Sequence, residues 1–163
     1  MSTARIVRGV LVFALLVTLH YGVRPLLGWR APIDFLLIAI LLSAVRMRPG
    51  AAALVGFLAG IATDSLVPES FGTGALALTS VAYAASWLKA VFFADNLALN
   101  GIFFFLGKWG TDLVIALAER RLHGVELVSQ VLLWSPLSAV VTALAGLVLL
   151  VLLRPLLDES AAS

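Results

Sequence analysis

The longest stretch free of Asp, Glu, Lys and Arg, residues 127–153, runs for 27 positions. That exceeds the roughly 20 residues a helix needs to cross a ~30 Å hydrocarbon layer. Five more charge-free runs precede it: 9–23, 35–45, 49–63, 70–88 and 96–107, of 15, 11, 15, 19 and 12 residues. Across all 163 residues, 12% are charged and 62% apolar, whereas a soluble domain carries about 25% charged residues. So little charge cannot cover a water-facing surface, and a chain this apolar does not stay disordered. The expectation is an all-α polytopic membrane protein, with one compact bundle of about six transmembrane helices spanning residues 1–163 as a single domain.

The spans are predicted at about 6–26, 33–45, 51–67, 71–88, 97–118 and 127–153, with a short polar tail at 158–163. The second is too short to cross alone and needs Pro32 at its start and Arg46 at its end. Arg24, Arg46 and Lys89 extend short runs by snorkelling toward lipid phosphates. Arg5 and Arg8 ahead of an apolar run suggest a signal peptide, but Tyr21-Gly22-Val23-Arg24-Pro25 is no small-residue cleavage site. The run is therefore expected to stay as the first helix. With the N-terminus inside, Arg5, Arg8, Arg46, Arg48, Lys89 and Arg154 lie on the cytoplasmic side, against Arg24, Arg30, Arg120 and Arg121 outside. The excess of basic residues favours both termini in the cytoplasm.

Several function classes fall away. A net charge of +2, with no basic run longer than Arg120-Arg121, leaves no footprint for nucleic acid. The chain has no cysteine, and His20 and His123 are too far apart in sequence to suggest a metal pair. No Ser/His/Asp set or paired-carboxylate spacing stands out, so neither an enzyme nor a cofactor is expected.

What remains are polar and small residues inside apolar helices. Gly56, Gly60 and Asp64 recur every fourth residue and share one helix face, where the glycines let another backbone approach closely. Ordinary helix packing and docking of a partner helix both fit that face. Asp64 continues it to the external end, where a carboxylate needs a partner or water. Pro68 then stops the helix, Ser70 can cap the next, and Gly72 and Gly74 permit a tight turn. Lys108 and Asp112 stand four residues apart and can neutralise one another. They form either a structural pair or, with Asp64, a proton or ion relay. His20 reads as an interfacial anchor beside Tyr21, and Pro136 after Trp134-Ser135 is expected to kink the last helix.

In order along the chain, these features resemble the bacterial rod shape-determining protein MreD family. Pro32-Ile33-Asp34-Phe35-Leu36-Leu37 is similar to its Pro-Asp-Leu-Leu-type start of the second span, with one extra residue between Pro and Asp. Gly56, Gly60 and Asp64 resemble its small-residue third helix ending in Asp, and Gly72, Gly74 and Leu76 its following turn. The resemblance covers roughly 31–88 by motif and the rest by length and hydropathy. It implies a non-enzymatic inner-membrane scaffold of the cell-elongation machinery that supports peptidoglycan synthesis and cell shape. The implied partners are the bitopic MreC, the actin-like MreB, RodA and its class B penicillin-binding transpeptidase, together with membrane lipids. Six compact helices also resemble the substrate-binding component of energy-coupling-factor vitamin transporters. That alternative requires polar residues converging on an external cavity. Asp64, Glu69 and His20 are expected on that side, and Asn96 and Asn100 on the other.

Overall fold

Aspartate and proline set the helix boundaries. A computed structural model describes residues 3–22, 33–92, 96–119 and 128–158, and among them every regular element is helical. In chain order these are α1 (Thr3–Gly22), α2 (Phe35–Ala44), α3 (Pro49–Asp64), a 3₁₀ turn (Pro68–Ser70), α4 (Thr73–Phe92), α5 (Leu97–Glu119), a π-helical turn (Gln130–Trp134) and α6 (Ser135–Asp158). Residues 1–2, 23–32, 93–95, 120–127 and 159–163 lie outside the described residues. With them go the expected positions of Arg24, Arg30, Pro32, Arg120, Arg121 and His123, and the polar tail.

α2 starts where the Asp34 side chain accepts the Leu37 N–H at 3.0 Å, satisfying one of the donors a helix start leaves without an intrahelical partner. It ends where Arg46 Nη1 reaches back to the Leu42 carbonyl at 3.2 Å. In α3, Pro49 takes the first turn, where its missing N–H is harmless, and Arg48 before it is extended at φ −74°, ψ 151°, as a residue preceding proline must be. α3 and α4 form the most extensively packed pair, followed by α5 with α6.

α2 occupies the middle. Nine of its ten residues are buried, and it touches α1, α3, α4, α5 and α6. Leu37, Ile38, Ile40 and Leu41 from α2 meet Leu16 of α1 and Phe104 of α5 in the core. The second span expected at 33–45 is thus a ten-residue helix, about 15 Å long at ~1.5 Å per residue, enclosed by the other helices.

Pro136 does not interrupt α6 by a simple break. Lacking an N–H, it cannot close the α-helical bond to Leu132. The turn before it widens instead, and Ser135 donates its N–H to the Gln130 carbonyl, five residues back. Trp109 Nε1 of α5 donates to the Val131 carbonyl in that turn at 3.3 Å.

Two described helices, Leu97–Ala118 and Gln130–Leu153, are long and apolar enough to cross a membrane. Val7–Gly22, Phe35–Ala44 and Pro49–Asp64 are shorter apolar helices. Large apolar side chains cover the outside: Leu11, Leu58, Trp87, Leu133 and Leu152 are each more than half exposed. His20, Asp64, Ser86, Asn100, Lys108, Thr111, Ser135 and Thr142 are buried.

Candidate functional site

The sequence-marked residues fall into two groups. The first is the α3–α4 seam. A Cβ on Gly56 would press on the Leu78 carbonyl, and one on Gly60 on the backbone of Gly74 and Ala75. Both glycines are buried, so the small face is filled by α4 of the same chain and is not open to a partner helix.

Asp64 closes the end of this seam. Its Oδ2 accepts the N–H groups of Gly72 and Ala75, both at 2.9 Å, and its Oδ1 accepts that of Gly74 at 3.1 Å. A carboxylate at the last turn of α3 thus caps the first turn of α4, where the helix dipole also favours negative charge. Gly72 delivers its N–H from a left-handed conformation, φ 98°, that disfavours a side chain. Gly74 sits against the Asp64 carboxylate, where a Cβ would collide with Oδ1. Gly56, Gly60, Asp64, Gly72 and Gly74 therefore form one joint.

The second group lies where α1, α2, α5 and α6 converge. Lys108 Nζ donates to Asp112 Oδ1 at 2.6 Å, one turn along α5, and to Asp34 Oδ2 at 3.4 Å, from the residue that caps α2. Asp112 Oδ2 accepts from Ser135 Oγ of α6 at 2.9 Å. The Asp34 backbone N–H donates to Thr142 Oγ1, also of α6, at 3.3 Å. His20 of α1 brings Nδ1 to 3.5 Å from Asp34 Oδ1 and accepts the Leu36 N–H there at 3.2 Å. The cluster clasps the N-terminal helix pair to the C-terminal one with charges that hydrogen bonds support, the condition for keeping charge in an apolar interior.

Three expectations change. The Lys108–Asp112 pair is a network that includes Asp34, Ser135 and His20. His20 is buried among helices instead of anchoring at an interface. Asp64 takes no part in a relay with Lys108, because its bonds run to the α4 backbone. Sequence did carry a hint of the second group: charged residues inside apolar helices must find one another, and Asp34, Lys108 and Asp112 are the candidates on adjoining helices.

A third polar joint sits at the opposite ends of α2 and α4. The Met47 carbonyl accepts both Ser86 Oγ at 2.8 Å and Lys89 Nζ at 3.0 Å, pinning the α2–α3 turn to α4. Among the described residues no group of three or more His, Asp or Glu side chains could hold a metal ion. No protein-family model, no curated protein and no solved structure matches the chain.

Proposed function

We propose that this chain is a non-enzymatic, multi-pass scaffold of the bacterial inner membrane, similar to MreD, that docks partners of the cell-elongation machinery. Both termini face the cytoplasm in this reading. An MreC-type bitopic protein is its direct partner, and MreB, RodA and the class B transpeptidase belong to the same assembly.

The observation that carries the membrane part is the distribution of polarity. Lys108, Asp64 and His20 are buried to below a tenth of their surface, while Leu133, Trp87 and Leu11 are more than three-fifths exposed. Water would reverse that arrangement; lipid favours it, since a charge then needs an internal partner and a leucine does not. The docking part rests on the motif resemblance around Asp34, Gly56, Gly60, Asp64, Gly72 and Gly74. Those positions secure the protein's own helices, so a partner's single helix meets an outward apolar face and not the Gly56–Gly60 seam.

The energy-coupling-factor alternative calls for polar groups directed at a ligand, whereas Asp34, Lys108, Asp112 and Ser135 are hydrogen-bonded to one another. Purification in mild detergent with the attached chains identified separates the two. The scaffold reading expects an MreC-like chain, no bound vitamin and rounding of rod-shaped cells on depletion. A sample that carries a vitamin, or binds a transporter ATPase and no MreC-like chain, overturns it.

A further inference from the structure

We propose that the turn between α2 and α3, with Lys89 of α4 against it, is a docking surface for the phosphate headgroup of an anionic phospholipid. This rests on the membrane reading above and adds to it a chemically defined partner and a place. Two elements distant in sequence bring cations to this one turn. Lys89 Nζ donates to the Met47 carbonyl at 3.0 Å, and that carbonyl carbon is bonded to the backbone nitrogen of Arg48. The ammonium therefore stands at the backbone of Arg48. Ser86 Oγ, one turn earlier on α4, donates to the same carbonyl at 2.8 Å, so α4 holds the turn at two points and the place of Lys89 is fixed.

The donors left over decide what fits there. Lys89 spends one N–H on Met47, and an ammonium has more than one to give. Arg48 is exposed and its guanidinium makes no bond to the start of α3. Among the described residues neither Arg48 nor Lys89 is in an ion pair. Arg46, also exposed, directs Nη1 to the Leu42 carbonyl and adds its charge to the same turn. A phosphate is negatively charged and its oxygens accept hydrogen bonds. It can bridge two such cations and replace their mutual repulsion with attraction.

The surroundings favour a lipid over a soluble anion. Trp87 and Leu88, directly before Lys89 on α4, are exposed, as are Leu54 and Leu58 beyond Arg48 on α3. The basic turn thus ends a wall of outward apolar side chains, with room for acyl chains beside it and a headgroup at its end. Tryptophan beside that boundary is a residue found at headgroup depth. In the orientation proposed above, the turn faces the leaflet whose anionic lipids attract Lys and Arg. An acidic peptide or a free phosphate would meet the cations and leave the apolar wall uncovered.

The test uses the full chain in lipid nanodiscs with a fluorophore on one introduced cysteine, since the chain has none of its own. Gly50→Cys places it in the first turn of α3 and Gly22→Cys at the end of α1; at both positions a Cβ meets nothing within 4 Å. Quenching by nitroxide-labelled phosphatidylglycerol is compared with quenching by identically labelled phosphatidylcholine. The expected result is stronger quenching by phosphatidylglycerol at Gly50→Cys and equal quenching by the two lipids at Gly22→Cys. A surface cation strengthens attraction to an anionic leaflet about fivefold, so Arg48→Gln and Lys89→Gln should each lower the preference by about that factor. Lys89→Gln keeps an N–H donor for the Met47 carbonyl, and Arg48→Gln decides alone if the other fails to fold. Equal quenching at Gly50→Cys, the same preference at Gly22→Cys, or a preference that survives Arg48→Gln would each overturn the proposal and leave the membrane reading standing. Displacement of phosphatidylglycerol by inorganic phosphate or an acidic peptide would overturn it in favour of a soluble ligand. Absence of quenching by either lipid at both positions would mean that the chain does not lie in the bilayer, and would remove the membrane reading together with this site.

Discussion

The α3–α4 seam and the clasp between α1–α2 and α5–α6 solve the same problem in opposite ways. Each keeps a carboxylate inside a largely apolar bundle. At the seam, Asp64 is answered by backbone N–H groups of Gly72, Gly74 and Ala75, all within eleven residues of it. At the clasp, the Asp34 carboxylate is answered by Lys108, 74 residues away, as well as by the Leu37 N–H, while the Asp34 backbone N–H donates to Thr142 Oγ1 on α6. A carboxylate satisfied by backbone makes a joint that assembles as the hairpin forms. A carboxylate satisfied by a distant ammonium makes a joint that forms only when the two ends of the chain meet. The seam fixes local shape, and the clasp fixes how the halves of the bundle stand to each other.

The largest expected effect separates the two directly. Lys108→Met leaves Asp34 and Asp112 facing each other without their shared cation, and removing one partner of a buried pair costs about 3–5 kcal/mol. Unfolding in detergent should register that loss, with α3–α4 protected longest in hydrogen exchange. Equal loss of protection in both regions would mean that the seam and clasp are not separate units.

Next comes Gly60→Ala. Helix spacing alone marks alanine as a mild change here, but its Cβ would run into the backbone of Gly74 and Ala75, which cannot rotate away. A cost of about 1–3 kcal/mol is expected, and Gly60→Leu should prevent folding. Gly50→Ala in the same helix, where a Cβ meets nothing within 4 Å, should be neutral or slightly stabilising. Equal behaviour of the two alanines in thermal unfolding would break the close-packing account.

Asp64→Asn tests the capping chemistry. The aspartate uses both oxygens as acceptors, so the amide must turn an NH₂ toward one of the N–H groups it should receive. A loss of about 1 kcal/mol is expected, as for a weakened helix cap, with Asp64→Leu clearly worse. If Asn matches Leu, the charge itself matters more than the three bonds. The smallest effect belongs to Ser135→Ala, which removes one hydroxyl from Asp112 while Lys108 remains, at about 0.5–1 kcal/mol. Thermal unfolding of the variant would check it; a larger drop would show that Ser135 also holds the π-helical turn.

The contrast also explains what could be read from the residues. Gly56, Gly60 and Asp64 repeat at one helical turn, and the glycine-containing turn follows within ten residues, so the seam is written in adjacent sequence. Lys108 and Asp112 were likewise visible as an i, i+4 pair. Their link to Asp34 was not, because spacing along a chain says nothing about which distant helices adjoin. His20 shows the same limit. Beside Tyr21 at the end of an apolar run it has the character of an interfacial anchor, and only the packing of α1 on α2 turns it inward. Pro136 announced a disturbance in the last helix, but proline alone does not say whether the backbone bends or takes a wider turn.

On the proposed membrane reading, the half-length of α2 has a consequence for how the bundle would meet a bilayer. Tilt and fit respond to the mismatch between a helix's apolar length and the surrounding hydrocarbon thickness. α2 has ten residues, nine of them buried, and so shows lipids almost nothing. Thinning or thickening of the membrane would act instead on α5 and α6, whose 23 and 24 residues carry outward leucines and valines. On that reading, a tilt of those two helices would carry with it the Asp34 end of α2, which is held by Lys108 and Thr142. Mechanical adjustment to lipid thickness would thereby be passed to the short inner helix through the charged clasp, with nine of that helix's ten residues buried.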